Sequence, residues 1–250
     1  MSVRTEVDHH TGIITLDRPP ANAFDEAQTQ ALAGAVATLG EDPAVRAVLI
    51  RSAQRIFCGG ADITMMESWN GAPDRGARLR RFTAGLQDVF ARIEALPKPT
   101  VAVLTGAATG GGLELALACD FRVAGASVKL GLPEVGIGLL PGAGGTQRLT
   151  RLAGPSVAHR IVLGAELVTG AEARRLGIVH SATDGDVLAE GRALADRLAQ
   201  LPPAAYSAAK RCIAAARGED GFARELDEIS RLIETPDTAR LLSDFLARSR

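Results

Sequence analysis

Short runs of β-forming residues alternate with helical patterns over the first two thirds of this chain, and helical patterns fill most of the last third. This order favours an α/β core followed by a helical C-terminal lobe. The breaks within the helical last third fall at Gly164, Gly177 and the Pro202-Pro203 pair. The core elements that the pattern predicts are a hairpin over 3–16, helices over 25–39 and 75–96, and strands over 45–51, 100–105, 121–124 and 127–130. Asp25 is the predicted N-cap of the first of these helices.

The composition is that of an ordinary globular protein, with 46% hydrophobic and 23% charged residues among 250. A net charge of −1 provides no overall field for nucleic acid or an anionic membrane. The N-terminal residues lack the apolar stretch of a signal peptide, and no apolar run reaches membrane-spanning length. Three cysteines without metal or redox spacing argue against a disulfide framework. We therefore expect a cytoplasmic protein that binds neither nucleic acid nor membranes.

Two glycine-rich turns, at residues 106–112 and 136–145, stand directly before predicted helices. Neither is followed by the Gly-Lys-Ser/Thr of a phosphate-binding loop, and neither has the full dinucleotide-binding glycine pattern. No serine occupies the Gly-x-Ser-x-Gly elbow that holds the nucleophile of α/β-hydrolases, which argues against a hydrolase of that class. The four histidines lack the spacing of a metal site, so we expect structural or surface roles for them and no bound metal.

The turn at Gly110, Gly111 and Gly112 is followed at once by Glu114, in the first turn of a short apolar helix. Backbone N–H groups at a helix start have no internal acceptor and suit a developing oxyanion. The helix dipole should favour the carboxylate form of this glutamate by roughly 0.3–1 kcal/mol. Its neighbours are otherwise apolar, and the spacing alone leaves a structural and a functional acid equally open.

A second glutamate, Glu134, follows Pro133 and is the only acid in a stretch rich in glycine and leucine. Alone it fits an ordinary helix start, but two carboxylates in apolar surroundings can hold different protonation states and divide acid and base roles. The two glycines before Ala61 would let a ligand approach the main chain closely, so the Ala61 N–H is a candidate second oxyanion donor.

These segments resemble the enoyl-CoA hydratase/isomerase, or crotonase, family. The resemblance covers most of the chain in the family's order. It is carried by a first coenzyme A loop at 17–24, a first oxyanion strand at 57–63, an oxyanion turn and catalytic helix at 110–120, a second catalytic segment at 132–149, and a following motif at 170–179.

The resemblance implies a ClpP-like spiral of repeated ββα units over residues 1–195, which carries the acyl-CoA site. It implies a helical trimerisation lobe over 196–250, and assembly into homotrimers or homohexamers. Coenzyme A would be part of the substrate, so no separate cofactor is expected.

The resemblance also implies a reaction, in which water adds reversibly to a trans-2-enoyl-CoA to give a 3-hydroxyacyl-CoA. Glu114 would activate the water and Glu134 would deliver the proton, while the N–H groups of Ala61 and Gly111 hold the thioester oxygen. Substrate contacts are implied at Arg18, Ala21, Ala23, Phe24, Gly60, Asp62, Ile63, Gly110 and Leu139.

Two positions depart from the family pattern. Pro20 stands where a basic residue is common, so the group that binds the coenzyme A phosphates is open, with Arg18 or Arg55 as substitutes. Phe24 replaces a commoner leucine near the expected coenzyme A channel.

Several alternatives remain open from sequence. A different crotonase-type enzyme, such as an enoyl-CoA isomerase or an acyl-CoA thioesterase, is one; glutamate at both positions favours the hydratase. A non-catalytic acyl-CoA binder is another, and intact acids and glycines argue against it. An RNA-binding relative is a third, for which the arginine cluster at 78–81 is the only support, and a solvated helix face explains that cluster better. Cys58 and Cys119 are best explained as small buried cysteines.

Overall fold

The fold contains two β-sheets, and successive segments of the chain add strands to both of them. The computed structural model describes residues 2–216, 218 and 220–248. The larger sheet has the strand order β1-β2-β3-β4-β6-β9, and the smaller has the order β5-β7-β8. The strands are β1 (Val3–Asp8), β2 (Thr11–Leu16), β3 (Ala47–Ser52), β4 (Thr100–Leu104), β5 (Ala108–Thr109), β6 (Phe121–Gly125), β7 (Lys129–Gly131), β8 (Val168–Thr169) and β9 (Ser181–Thr183).

Helices follow the strand pairs. They are α1 (Glu26–Glu41), α2 (Ile63–Glu67), α3 (Arg75–Ala95), α4 (Gly111–Ala118), α5 (Gly145–Ala153), α6 (Pro155–Ala158), α7 (Gly170–Arg175), α8 (Val187–Ala199), α9 (Pro203–Ala215), α10 (Gly221–Ile233) and α11 (Pro236–Arg248), with a 3₁₀-helix at Pro133–Ile137 and a π-helix at His159–Leu163.

The repeating unit is one strand in each sheet and then a helix. β4 joins the larger sheet, β5 joins the smaller, and α4 follows; β6, β7 and the 3₁₀-helix repeat the order. The preceding turn of the spiral consists of strand β3, then Cys58, which forms an isolated bridge to Ala108 in β5, and then helices α2 and α3. The strands from β2 to β9 in the larger sheet are parallel. This confirms the predicted α/β spiral of ββα units.

Burial explains why the sequence forms these elements. All six residues of β2 and all eight of α4 are buried, so both lie inside the core and carry little polar character. Helix α1 begins where its N-cap was predicted, because the Asp25 side chain accepts a hydrogen bond from the Gln28 amide at 2.7 Å. Arg122 is buried and donates to the carbonyls of Ala116 and Cys119, which stabilises the C-terminal end of α4.

Two short strands contradict the prediction of an almost wholly helical last third. β8 pairs with β7, and β9 pairs with β6 to extend the larger sheet. β9 has only three residues, all partly exposed, so it carries neither the alternation nor the apolar run that marks a strand in sequence.

The chain divides into two compact units, the first ending at Leu198 and the second starting at Ala199. The sequence places this division after residue 195. Within the second unit, the Arg211 guanidinium on α9 donates to both carboxylate oxygens of Glu228 on α10, at 2.7 and 2.8 Å. Helix α10 also exposes Phe222, Leu226 and Ile229, which share one face of the helix.

Candidate active site

A cavity of about 920 Å³ opens where the two glycine-rich turns meet α3 in the first unit. Both glutamates and both candidate amide donors line it. Its other walls come from α2, α3, the 3₁₀-helix and the segment before α5, through residues that include Ile63, Met66, Leu79, Phe82, Leu86, Ile137, Leu139 and Leu140. The cavity is therefore mostly apolar, with its acids close to exposed main chain, as expected of a small-molecule site.

Main-chain hydrogen bonds fix the segment around Ala61, which was predicted to supply one oxyanion donor. The Phe24 amide donates to the Gly60 carbonyl at 2.7 Å, and the Asp62 amide donates to the Phe24 carbonyl at 2.8 Å. Gly60 has φ +101, a conformation that favours glycine. Among the described residues, the Ala61 N–H donates to no other group.

The segment around Gly111, which was predicted to supply the other oxyanion donor, packs against the segment around Ala61. Gly111 is the first residue of α4, and within the described part of the chain its N–H also has no acceptor. A Cβ added at Gly60 would lie 3.1 Å from the Gly111 nitrogen, and one at Gly111 would lie 3.7 Å from the Ala61 nitrogen. The two amides therefore adjoin. Gly112 must be glycine, because a Cβ there would lie 2.2 Å from the Cys58 carbonyl oxygen.

Glu114 lies in the first turn of α4 and is 3% exposed. Its Oε1 accepts a hydrogen bond from the Gly145 amide at 2.7 Å. Burial raises the pKa of its carboxyl to about 7, helped by repulsion from Glu134 and opposed by the Gly145 hydrogen bond. The helix dipole was expected to favour the carboxylate form of Glu114. The loss of hydration on burial has the larger effect on its pKa, so the net change is a rise.

Glu134 lies in the first turn of the 3₁₀-helix and is half-buried. Its Oε1 faces the oxyanion turn, since a Cβ added at Gly110 would lie 3.0 Å from it. Its Oε2 is buried and has no hydrogen-bond partner among the described residues. Burial raises the pKa of this carboxyl as well. Two neighbouring carboxyls whose pKa values are both raised hold their protons more tightly than ordinary glutamates, which suits acid–base chemistry.

Sequence reasoning overlooked Arg148 on α5. Its side chain is 10% exposed, pairs with Glu94 on α3 at 3.0 Å, and donates to the Ala143 carbonyl at 2.9 Å. It therefore fastens the segment whose Gly145 amide holds Glu114, and its charge lowers the pKa of Glu114. The only sequence signal was its place in the second catalytic segment.

The structure separates the expected substrate residues into two groups. Gly60, Ile63, Gly110 and Leu139 line the cavity together with the residues of the acid–base and oxyanion set. The second group, which does not line the cavity, consists of Arg18, Ala21, Ala23, Phe24 and Asp62.

Two residues of that second group have clear structural partners. The Arg18 guanidinium pairs with Asp62 at 2.6 Å and with Asp25 at 3.0 Å, which ties the first loop to the oxyanion segment. Phe24 is fully buried and packs edge to face against Phe90.

Cys58 and Cys119 are both buried, as predicted. Burial raises the pKa of the Cys58 thiol to about 12, so it is not ionised near neutral pH. In residues 2–216, 218 and 220–248, no group of three or more His, Cys, Asp or Glu is placed to hold a metal ion.

The family model described as enoyl-CoA hydratase/isomerase matches residues 7–239. The chain belongs to the enoyl-CoA hydratase/isomerase family. It is 37% identical to a probable enoyl-CoA hydratase of Bacillus subtilis over 81% of this chain and 78% of that one. It is 35% identical to the 2,3-dehydroadipyl-CoA hydratase of Escherichia coli over 94% and 92%.

Solved structures of the family have the same fold as this chain. A crystal structure of an enoyl-CoA hydratase from Bacillus anthracis superposes with a TM-score of 0.92 at 29% identity, covering 99% of this chain and 97% of that one. Among the described residues of this family member, no helix is long and apolar enough to cross a membrane.

Proposed function

We propose that this protein is an enoyl-CoA hydratase, which adds water reversibly and with syn geometry to a trans-2-enoyl-CoA and yields a 3-hydroxyacyl-CoA. The observation that carries the proposal is the meeting of Glu114 and Glu134, both with raised pKa, beside the adjoining amides of Ala61 and Gly111. Family membership and the names of the relatives support the same reaction.

The amides act on the thioester. Its carbonyl oxygen accepts from the N–H groups of Ala61 and Gly111, which draws electron density from the conjugated double bond and makes carbon 3 electrophilic. Both donors are fixed before substrate arrives, because the main chain around them is anchored. Donors of this kind are typically worth about 10²–10³ in rate.

The glutamates move the protons. Ionised Glu114 takes a proton from water while the hydroxyl oxygen bonds to carbon 3, and protonated Glu134 gives its proton to carbon 2. A pKa of about 7 makes Glu114 an effective base near neutral pH. The proton left on Glu114 returns to Glu134 through solvent, so the enzyme is regenerated. The reverse sequence dehydrates the 3-hydroxyacyl-CoA.

The decisive assay follows the loss of enoyl absorbance when crotonyl-CoA and longer trans-2-enoyl-CoAs are added. Glu114→Gln and Glu134→Gln should each lower kcat by about 10²–10⁴. Glu67→Gln is the matched control, because this exposed glutamate on α2 does not line the cavity.

Two outcomes would overturn the proposal. Absence of hydration in the wild type would do so, particularly if the protein moved a 3,4 double bond or released free coenzyme A instead. Retention of most activity by Glu114→Gln would refute the two-carboxylate mechanism.

The proposal includes assembly into homotrimers or homohexamers through the second unit. Its support is the apolar face of α10, where Phe222 is 84% exposed and Leu226, Ile229 and Ile233 follow at helical spacing. Light scattering after size exclusion should give three or six times the chain mass. A monomer would refute this part alone.

A further inference from the structure

One cation stands among the walls of the catalytic cavity. Within the described part of the chain, the charged side chains that line it are Glu114, Glu134 and Arg80. The glutamates serve the acid–base chemistry of the proposed function, on which the present inference rests. Arg80 has no part in that chemistry.

The acids around α3 are already paired with other arginines. Asp74 pairs with Arg78 at 2.9 Å, Asp88 pairs with Arg92 at 2.7 Å, and Glu94 pairs with Arg148 at 3.0 Å. None of these three acids is therefore the partner of Arg80. Across residues 2–216, 218 and 220–248, Arg80 forms no ion pair. Arg80 is exposed, as a solvated helix face requires, and it also lines the cavity.

The helix leaves room for this guanidinium to lean into the cavity. Gly76 and Ala84 stand one turn before and one turn after Arg80, and both line the cavity. A Cβ added at Gly76 would meet nothing within 4 Å. Thr83, on the same face, adds a hydroxyl to this part of the wall.

Arg80 lies toward the N-terminal end of α3. The Gln87 side chain donates to the Gly142 carbonyl at 2.6 Å, close to the Gly145 amide that holds Glu114, so Gln87 marks the catalytic end of α3. Seven residues separate Arg80 from Gln87, which is about 10 Å along a helix. Thr83 also faces Gly142, since a Cβ added at Gly142 would lie 2.9 Å from its Cγ2, and Arg80 precedes this contact by one helical turn.

We propose that Arg80 is a specificity-determining residue that binds a carboxylate at the far end of the acyl chain. The preferred substrates are then trans-2-enoyl-CoAs whose tails end in a carboxylate. The planar guanidinium fork matches a carboxylate in a two-point contact. The coenzyme A phosphates fit less well, because the loop expected to hold coenzyme A, residues 17–24, does not line this cavity.

The test compares trans-2-hexenedioyl-CoA with trans-2-hexenoyl-CoA, which differ only by a terminal carboxylate in place of a methyl group. The measured quantity is the ratio of their kcat/KM values. We expect Arg80→Gln to lower this ratio by about 10-fold, the size of one lost charged hydrogen bond. Arg81→Gln is the matched control, because this neighbouring exposed arginine does not line the cavity and should leave the ratio unchanged.

An unchanged ratio in Arg80→Gln would overturn the inference. The ratio is also unchanged if kcat/KM falls equally with both substrates. That outcome would assign Arg80 to the coenzyme A phosphates, which the two substrates share. If the wild type hydrates neither compound, the dissociation constants of adipyl-CoA and hexanoyl-CoA from calorimetry decide the inference. Arg80→Gln should then weaken adipyl-CoA binding about 10-fold relative to hexanoyl-CoA, and equal weakening would refute it. The proposed function fails only if crotonyl-CoA and the other trans-2-enoyl-CoAs are not hydrated either.

Discussion

Replacing Glu114 by glutamine should stabilise the protein at high pH while it removes the proposed catalytic base. The carboxyl is 3% exposed and its pKa is about 7 against an ordinary value of 4.5. The native state therefore holds this proton more tightly than the unfolded state does. Between these two values the native protein binds more protons, so stability falls as the pH rises through that window.

The magnitude follows from the two pKa values. They differ by about 2.5, and each unit corresponds to about 1.4 kcal/mol, so the ionised carboxylate costs about 3 kcal/mol above pH 7 and nothing below pH 4.5. Glutamine keeps the oxygen that accepts from the Gly145 amide and carries no charge. The free energy of unfolding of Glu114→Gln should thus exceed that of the wild type by up to about 3 kcal/mol at pH 8, with near equality at pH 4.5.

Urea unfolding at the two pH values measures this difference, with Trp69 as the reporter because it is the single tryptophan and is buried. Protein concentration must be matched, since assembly adds to apparent stability. Glu134→Gln is the control, and its gain should be smaller because Glu134 is only half-buried. A gain that is equal at both pH values, or a loss at pH 8, would refute the reasoning.

Three further predictions concern the scaffold of the site. Gly112→Ala should lower the free energy of unfolding in urea by about 1–3 kcal/mol, because its Cβ would overlap the Cys58 carbonyl. Gly34→Ala in α1 meets nothing within 4 Å and should raise this free energy by about 0.5–1 kcal/mol. Equal effects of the two substitutions would contradict this account. Arg148→Gln removes a charge that lowers the pKa of Glu114, so the acid limb of the kcat/KM profile should move to higher pH, and Arg148→Lys should move it less. An unmoved limb would count against that role. Native protein at pH 8 should leave Cys58 unlabelled by iodoacetamide, since the thiol is buried with a pKa of about 12, and rapid native labelling would show that the segment opens.

Much of the fold follows from periodicity. Helix α3 begins at Arg75 and ends one residue before the predicted end, since an amphipathic pattern and the following prolines mark both limits. The N-cap of α1 was likewise readable from Asp25. β8 and β9 were not, because strands of two and three residues owe their form to pairing with β7 and β6 rather than to a pattern of their own.

The candidate site was predictable in its members and less so in its electrostatics. Motif order brought Glu114, Glu134, Ala61 and Gly111 together, and the structure places all four around one cavity. The rise in the pKa of Glu114 depends on how completely the surrounding chain excludes water, which spacing along a helix does not state. Arg148 was overlooked for a related reason, because its partner Glu94 lies far away in sequence.

The complete burial of α4 divides the molecule into parts that tolerate change very differently. A side-chain change on this helix is felt by the packed core on every side, whereas α3 shows the cavity one face and solvent another. The buried residues of α3, which are Phe82, Leu86, Val89, Phe90 and Ile93, belong to the core, so drift in sequence costs folding little only at the exposed positions of this helix. Under the proposed function, the acyl chains that the enzyme accepts can change through α3 while the proposed proton-transfer residues stay unaltered, and directed evolution of substrate range should begin on the cavity-lining positions of this helix.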